Sequence, residues 1–150
     1  MQLNVKYLFP EIKPLISRDG DSGYDLRAHL KEPLTIEPHK CACVPTGIAV
    51  EIADFGCKKN NPLSIELQVR PRSGLTKRGL IAQLGTIDAS YRGEIWVNLV
   101  NNGDELAKVE PNDRIAQLVI CPIYKLPVVP VTKLSDTERG TNGFGSTGVK

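Results

Sequence analysis

A chain of 150 residues, 41% hydrophobic and 24% charged, suits one domain whose core needs neither disulfides nor a metal to hold it. Its 19 basic and 17 acidic side chains leave a formal charge of +2 with no basic block, which disfavours duplex nucleic acid as a partner and leaves small anions open. No run of apolar residues is long enough for a membrane span. Met1-Gln2-Leu3-Asn4 also lacks the basic-then-apolar start of a secretory signal, so a cytoplasmic setting is expected.

Thirteen glycines and eleven prolines recur at short intervals. They leave few windows of helix length, and those windows lack a 3.6-residue period. Short runs between them predict strands, first over Leu3 to Phe9, Tyr24 to Leu30, Leu34 to Ile36, Lys40 to Val44 and Ile48 to Ile52. Asp25 enters the second run, where an acid is unusual. It is either an edge-strand charge or a holder of hydrated Mg²⁺, which needs only one or two carboxylates beside substrate phosphates.

The next strand, Ser64 to Val69, alternates cleanly with Ile65, Leu67 and Val69 inward. It stops at Arg70-Pro71-Arg72-Ser73-Gly74-Leu75, and one short helix fits between Arg72 and Arg78. Arginines and a hydroxyl at a strand-to-helix junction make either a phosphate site or a solvated turn. A strand over Leu80 to Leu84 leads into Gly85-Thr86-Ile87-Asp88-Ala89-Ser90-Tyr91-Arg92-Gly93-Glu94, read as a turn bracketed by glycines. Here an acid beside a phosphate site orients water for attack on phosphorus, and a tyrosine plane packs against a sugar. The plain alternative is a hairpin whose Asp88 caps its own turn. Strands over Glu94 to Asn101, Arg114 to Ile120 and Leu126 to Val131 complete the set. About ten short strands without a repeat predict an all-β fold, a jelly-roll-like antiparallel sandwich or barrel with one short helix.

From Ser135 the composition changes. Residues 135–150 hold four glycines, one aromatic and almost nothing to bury, so a core over 1–134 and a flexible C-terminal lid segment over 135–150 are expected, the lid ordering only on a ligand. Gly143-Phe144-Gly145-Ser146-Thr147-Gly148 matches G-x-G-x-x-G but follows no βαβ unit, so it is no dinucleotide fingerprint. Its glycine amides and hydroxyls still suit an anion, with Arg139 upstream as a phosphate partner and Phe144 as a cover for a planar ring. Cys41, Cys43, Cys57 and Cys121 form no C-x-x-C pair and read as free thiols. Cys41 and Cys43 are expected as buried strand residues. With His39 they lack the fourth ligand a zinc site wants.

Five stretches, in order and together, resemble the motifs of the trimeric dUTPase family. They are Asp21 to Leu26, Pro71 to Leu75, Gly85 to Asp88 with Tyr91 to Glu94, Asp113 to Leu118, and Arg139-Gly140 followed by Gly143 to Gly148. The resemblance implies a jelly-roll subunit and a homotrimer whose active sites each draw motifs from three chains. It also implies hydrolysis of dUTP to dUMP and pyrophosphate with Mg²⁺, limiting uracil in DNA and supplying dUMP for dTMP synthesis. Carried over by motif, Asp88 activates the water and Asp25 reaches Mg²⁺ through water. Arg72, Ser73, Gly74 and Gln117 bind the α/β-phosphates. Arg139, Gly145, Ser146 and Thr147 clasp the γ-phosphate. Tyr91 lies under the deoxyribose, Phe144 covers the uracil, and Leu84, Gly85 and Ile87 line the base side.

The segment from Thr76 to Leu84 departs from the family by looking short. It lacks the asparagine often found near the base, so backbone groups around Leu84 and Gly85, with Gln83, are expected to read uracil. The related dCTP deaminases place a glutamate where this chain has Asn98, and an amide cannot shuttle that proton.

Overall fold

The computed structural model describes residues 2–53 and 63–143. Eleven strands and one helical turn are found among them: β1 (Gln2–Tyr7), β2 (Tyr24–Arg27), β3 (Leu34–Ile36), β4 (Cys41–Pro45), β5 (Ile48–Ala53), β6 (Leu63–Arg70), α1 (Ser73–Thr76), β7 (Leu80–Ala82), β8 (Gly85–Asp88), β9 (Trp96–Asn101), β10 (Ala107–Val109) and β11 (Arg114–Tyr124). Every strand pair is antiparallel. The sheets run β1-β5, β10-β3, β2-β11-β6-β8 and β4-β9-β7. The expected all-β, jelly-roll-like architecture with one short helix is the one found.

Alternation drives the packing. Ile65, Leu67 and Val69 of β6 are buried as expected, and so are Val97 and Leu99 of β9. Leu67, Val69, Val97 and Leu99 meet Leu26, Val44, Ile115 and Leu118 in one core, which sends the intervening residues of each strand outward. On β6 those outward residues are Ser64, Glu66, Gln68 and Arg70.

Some expectations need correction. The run Leu126 to Val131 forms no strand, because Pro127 and Pro130 remove ladder donors. Its Leu126, Val128, Val129 and Val131 are all exposed. Strand β11 instead continues through Pro122, which pairs with Ile65 of β6. Proline is tolerated there because β2 covers β11 only over Arg114 to Leu118, so the far side of Pro122 carries no β2 ladder. Gly85 to Asp88 is a strand and not part of a turn. Strands β8 and β9 also make no hairpin, since β8 pairs with β6 and β9 with β4 and β7. The short β10 pairs with β3 and carries too few residues for an alternation signal. Cys41 and Cys43 lie on the exposed face of β4, not in the core, and Cys121 is partly buried; all three are free thiols. Cys57 lies outside the described residues. His29 stacks on Phe9 with centroids 4.5 Å apart and its Nε2 lies 3.2 Å from Glu11 Oε1. A backbone hydrogen bond and the His29 ring hold the Glu11 carboxyl below its usual range. No helix among the described residues is long and apolar enough to cross a membrane.

Candidate active site

The outward face of the β2-β11-β6-β8 sheet carries most of the residues singled out by sequence. Register fixes who stands beside whom: Asp25 faces Gln117, Gln117 faces Arg70, Gln68 faces Thr86, and Glu66 faces Asp88. Directly opposed residues of an antiparallel pair share a face.

At the β2–β11 corner a cleft of about 550 Å³ is lined by Asp21, Asp25, Arg72, Ser73, Gly74 and Gln117, together with Arg18, Arg78 and Arg114. Three of the five motifs therefore converge. Strand β6 ends at Pro71, and α1 follows with Arg72 as its extended N-terminal neighbour at φ −102° and ψ 129°. The Gln117 amide donates to the Pro71 carbonyl at 3.0 Å, which fixes the turn that presents Arg72 and Ser73. Arg72 Nε lies 3.1 Å from Asp25 Oδ1, and Arg114 Nη1 lies 3.3 Å from Asp25 Oδ2. Asp25 thus aims two guanidinium groups into the cleft. The Asp21-Ser22-Gly23 segment presses on β11: a Cβ on Gly23 would come within 2.8 Å of the Leu118 carbonyl oxygen and 2.9 Å of Val119 Cγ2, so only glycine fits. Four arginines against two aspartates make this a receptacle for a polyanion, with guanidinium forks matched to phosphate oxygens.

Arg70 does not join them. Its Nε donates to Gln68 Oε1 at 2.8 Å and its Nη2 lies 3.1 Å from Cys121 Sγ, while Gln68 donates in turn to Glu66. Arg18 and Arg78 escaped sequence reasoning, and Arg114, though inside the stretch Asp113 to Leu118, was given no role there. The Arg114 signal lies in β2–β11 register, which a single sequence does not display.

Asp88 and Tyr91 lie elsewhere. With Thr86, Ile87, Glu94, Ile95 and Trp96 they line a second pocket of about 290 Å³. Asp88 is the last residue of β8, exposed, and its carbonyl accepts the Tyr91 amide at 2.9 Å. Its carboxylate makes no hydrogen bond or ion pair among the described residues. Asp88 faces Glu66, whereas Gln117 faces Arg70 four residues along β6 and on the other side of it. That places Asp88 ~13 Å along and ~10 Å across from Gln117, roughly 16 Å in all. One chain does not bring Asp88 to its own phosphate cleft.

Leu84 is exposed and Gly85 lies on β8 over Val69. Ile87 turns to the core side. Gln83 is bound twice to Asn98: its amide N–H donates to the Asn98 carbonyl at 2.8 Å, and its side-chain oxygen accepts from Asn98 Nδ2. Arg139 stays within its own segment, donating from Nε to the Asn142 carbonyl at 2.9 Å, and is not among the cleft residues. Phe144, Gly145, Ser146 and Thr147 lie outside the described residues.

Among the described residues no three His, Cys, Asp or Glu side chains are grouped to hold an ion. That argues against an all-protein cage there. It fits Mg²⁺, which keeps several waters and leans on one or two carboxylates plus substrate phosphates. Asp25 has the chemistry for this, since two guanidinium contacts leave lone pairs on its oxygens.

Comparison with known proteins identifies the family. The family model for dUTPase matches residues 11–148. The deoxyuridine 5'-triphosphate nucleotidohydrolase of Picosynechococcus sp. is 47% identical over 152 aligned positions, covering 99% of each chain. That of Treponema denticola is 44% identical, covering 95% of this chain and 92% of its own. Among solved structures, the dUTPase of Staphylococcus bacteriophage 80alpha with dUPNHPP superposes with a TM-score of 0.82 at 28% identity, covering 99% of both chains. The chain belongs to the dUTPase family. It is an enzyme, a nucleotidohydrolase of that class.

Proposed function

We propose that this enzyme hydrolyses dUTP to dUMP and pyrophosphate in sites assembled between copies of the chain, as a homotrimer. The observation that carries the reading is the split of the motifs: a finished polyanion cleft at one corner of a sheet face, and an unpartnered carboxylate beside a tyrosine roughly 16 Å away. Bringing a second copy's Asp88 to the first copy's Arg72 completes the set. Surface supports association. Trp96, Leu126, Val128 and Leu134 are among the exposed apolar side chains.

In the reaction, Arg72, Ser73 and Gln117 grip the α/β-phosphates, assisted by Arg114. Asp88 orients a water in line with the α-phosphorus and takes its proton. The new P–O bond forms at the α-phosphorus as the bond to the bridging oxygen breaks and pyrophosphate leaves. Asp25 would hold Mg²⁺ through water, and the ion would supply neutralisation of phosphate charge. Tyr91 supports the deoxyribose, and backbone groups around Leu84 and Gly85 read uracil. Cytosine reverses uracil's donor and acceptor, so fixed backbone partners would be left unpaired against it. Arg139, Phe144, Gly145, Ser146 and Thr147 belong to a C-terminal lid over 135–150 that closes on the nucleotide. No nucleic acid and no membrane enters this reading, and the free thiols suit a reducing cytoplasm, where the reaction limits uracil in DNA and supplies dUMP for dTMP synthesis.

The test is incubation with dUTP or dCTP and Mg²⁺, measuring pyrophosphate and ammonia. Pyrophosphate from dUTP alone is expected; ammonia from dCTP would point to deamination instead. Truncation after Leu134 is expected to keep the oligomer and abolish turnover.

A further inference from the structure

We infer that Arg92, held by Glu51, is a positioning residue that aims Asp88, an inference that rests on the dUTP reading above. Asp88 stands at a seam. On its N-terminal side the ladder between β8 and β6 ends with the pair Glu66 and Asp88. On its C-terminal side the chain turns at once, and the Tyr91 amide closes the turn by donating to the Asp88 carbonyl at 2.9 Å. The carboxylate has no partner among the described residues, so the backbone that carries it is what limits where it can point.

That turn has little to hold it. One backbone bond closes it, and at its centre Ala89 is half-buried and Ser90 exposed. Arg92 supplies the rest. Its Nη1 donates to the Ala89 carbonyl at 2.7 Å and the Tyr91 carbonyl at 2.9 Å. Its Nη2 lies 3.0 Å from Glu51 Oε1 on β5. The other Glu51 oxygen lies 3.5 Å from the side-chain nitrogen of Asn4, the residue opposite it in the β1–β5 ladder. The guanidinium therefore ties the turn to a sheet to which neither β6 nor β8 belongs. Further along, Glu94 Oε1 accepts the Gly47 amide at 2.7 Å, and the Ile95 amide donates to the Ile48 carbonyl at 2.9 Å. The chain after the turn is thus sewn to the start of β5, and Arg92 reaches back from there to the carbonyls of the turn itself.

The chemistry suits arginine. A planar fork reaches two carbonyls and a carboxylate at once, whereas an ammonium on a flexible stem does not hold that geometry. Arg92 and Glu51 are both about half exposed, so their ion pair adds little to global stability. Its effect falls on placement, where a shift of about 1 Å in a reacting group costs on the order of 10²-fold in rate. The contacts Arg92 makes are all with its own chain, so it acts through Asp88 and not on the nucleotide.

The experiment is a double-mutant cycle on the full chain: wild type, Arg92→Ala, Asp88→Asn and the double variant. It reads kcat for dUTP, the affinity and stoichiometry of dUPNHPP binding by calorimetry, and the oligomeric state. Arg92→Ala is expected to lower kcat about tenfold or more, with dUPNHPP affinity within about threefold of wild type and the stoichiometry unchanged. In the Asp88→Asn background the same substitution is expected to cost less than about twofold, because no base is left to aim. Arg92→Lys is expected to restore little of the lost kcat. An equal loss in both backgrounds overturns the inference. So does a fall in affinity or stoichiometry that matches the fall in kcat, since a general structural role would produce it. If Arg92→Ala does not fold, Glu51→Ala goes through the same cycle, with an expected loss of about threefold that vanishes with Asp88→Asn. A wild-type enzyme that leaves dUTP untouched would instead sink the dUTP reading itself.

Discussion

Two corners of one sheet face differ in how complete they are. At the β2–β11 corner, Asp25, Arg72, Arg114 and Gln117 already bond to one another or to the nearby backbone. At the β8 corner, Asp88 is exposed and unpartnered among the described residues. Grip and chemistry make opposite demands. A phosphate receptacle gains by being preorganised, because arginines already oriented need no reordering when the anion arrives. A general base gains by keeping its oxygens free for water until the substrate is in place.

The sharpest test of this division is Asp88→Asn. An amide cannot take the proton, so turnover is expected to fall about 10²- to 10⁴-fold. Affinity for dUPNHPP, measured by calorimetry, is expected to stay within a few-fold. Loss of affinity along with turnover would place Asp88 in the grip and erase the distinction between corners. The mirror experiment is Arg72→Ala, which removes a forked phosphate partner and leaves Asp25 short of one cation. Nucleotide affinity is expected to weaken about 30-fold or more. Normal affinity would mean that the cleft binds something else.

Mixing the two variants tests the geometry itself. Neither homo-oligomer can form a complete site, yet a cleft from an Asp88→Asn chain beside the base of an Arg72→Ala chain is intact. Random assembly from a refolded equimolar mixture is expected to return about a quarter of wild-type turnover. No recovery in mixed oligomers would mean that each chain somehow serves its own site.

Much of this was legible because it is local. The inward row Ile65, Leu67 and Val69, the break at Pro71 and the helical turn after it all follow from spacing and proline chemistry. What was not legible depends on pairing across the chain. Gly85 to Asp88 looks like a turn because its glycine and aspartate are turn formers, yet β6 supplies a ladder that overrides that propensity. Arg114 enters the cleft only because β2 lies beside β11, and Arg70 leaves it because Gln68 and Cys121 sit within its reach. Leu126 to Val131 shows the converse: its apolar residues suggest a strand, but a ladder needs a partner and donors, and its prolines supply none.

The smallest effect is expected at Gln83, whose place near the third motif in sequence suggests a hand in reading the base. Both hydrogen bonds it makes run to Asn98, across to β9 in the β4-β9-β7 sheet and away from β8. One of them is a backbone bond that any residue but proline at 83 can make. Gln83→Ala therefore removes a single side-chain contact to a partly exposed amide, of a kind worth about 1 kcal/mol or less. The KM for dUTP is expected to move less than twofold. A tenfold rise would put the Gln83 amide on uracil and shift base reading from backbone to side chain. The two corners would then share the nucleotide with a third element that the sheet register alone does not reveal.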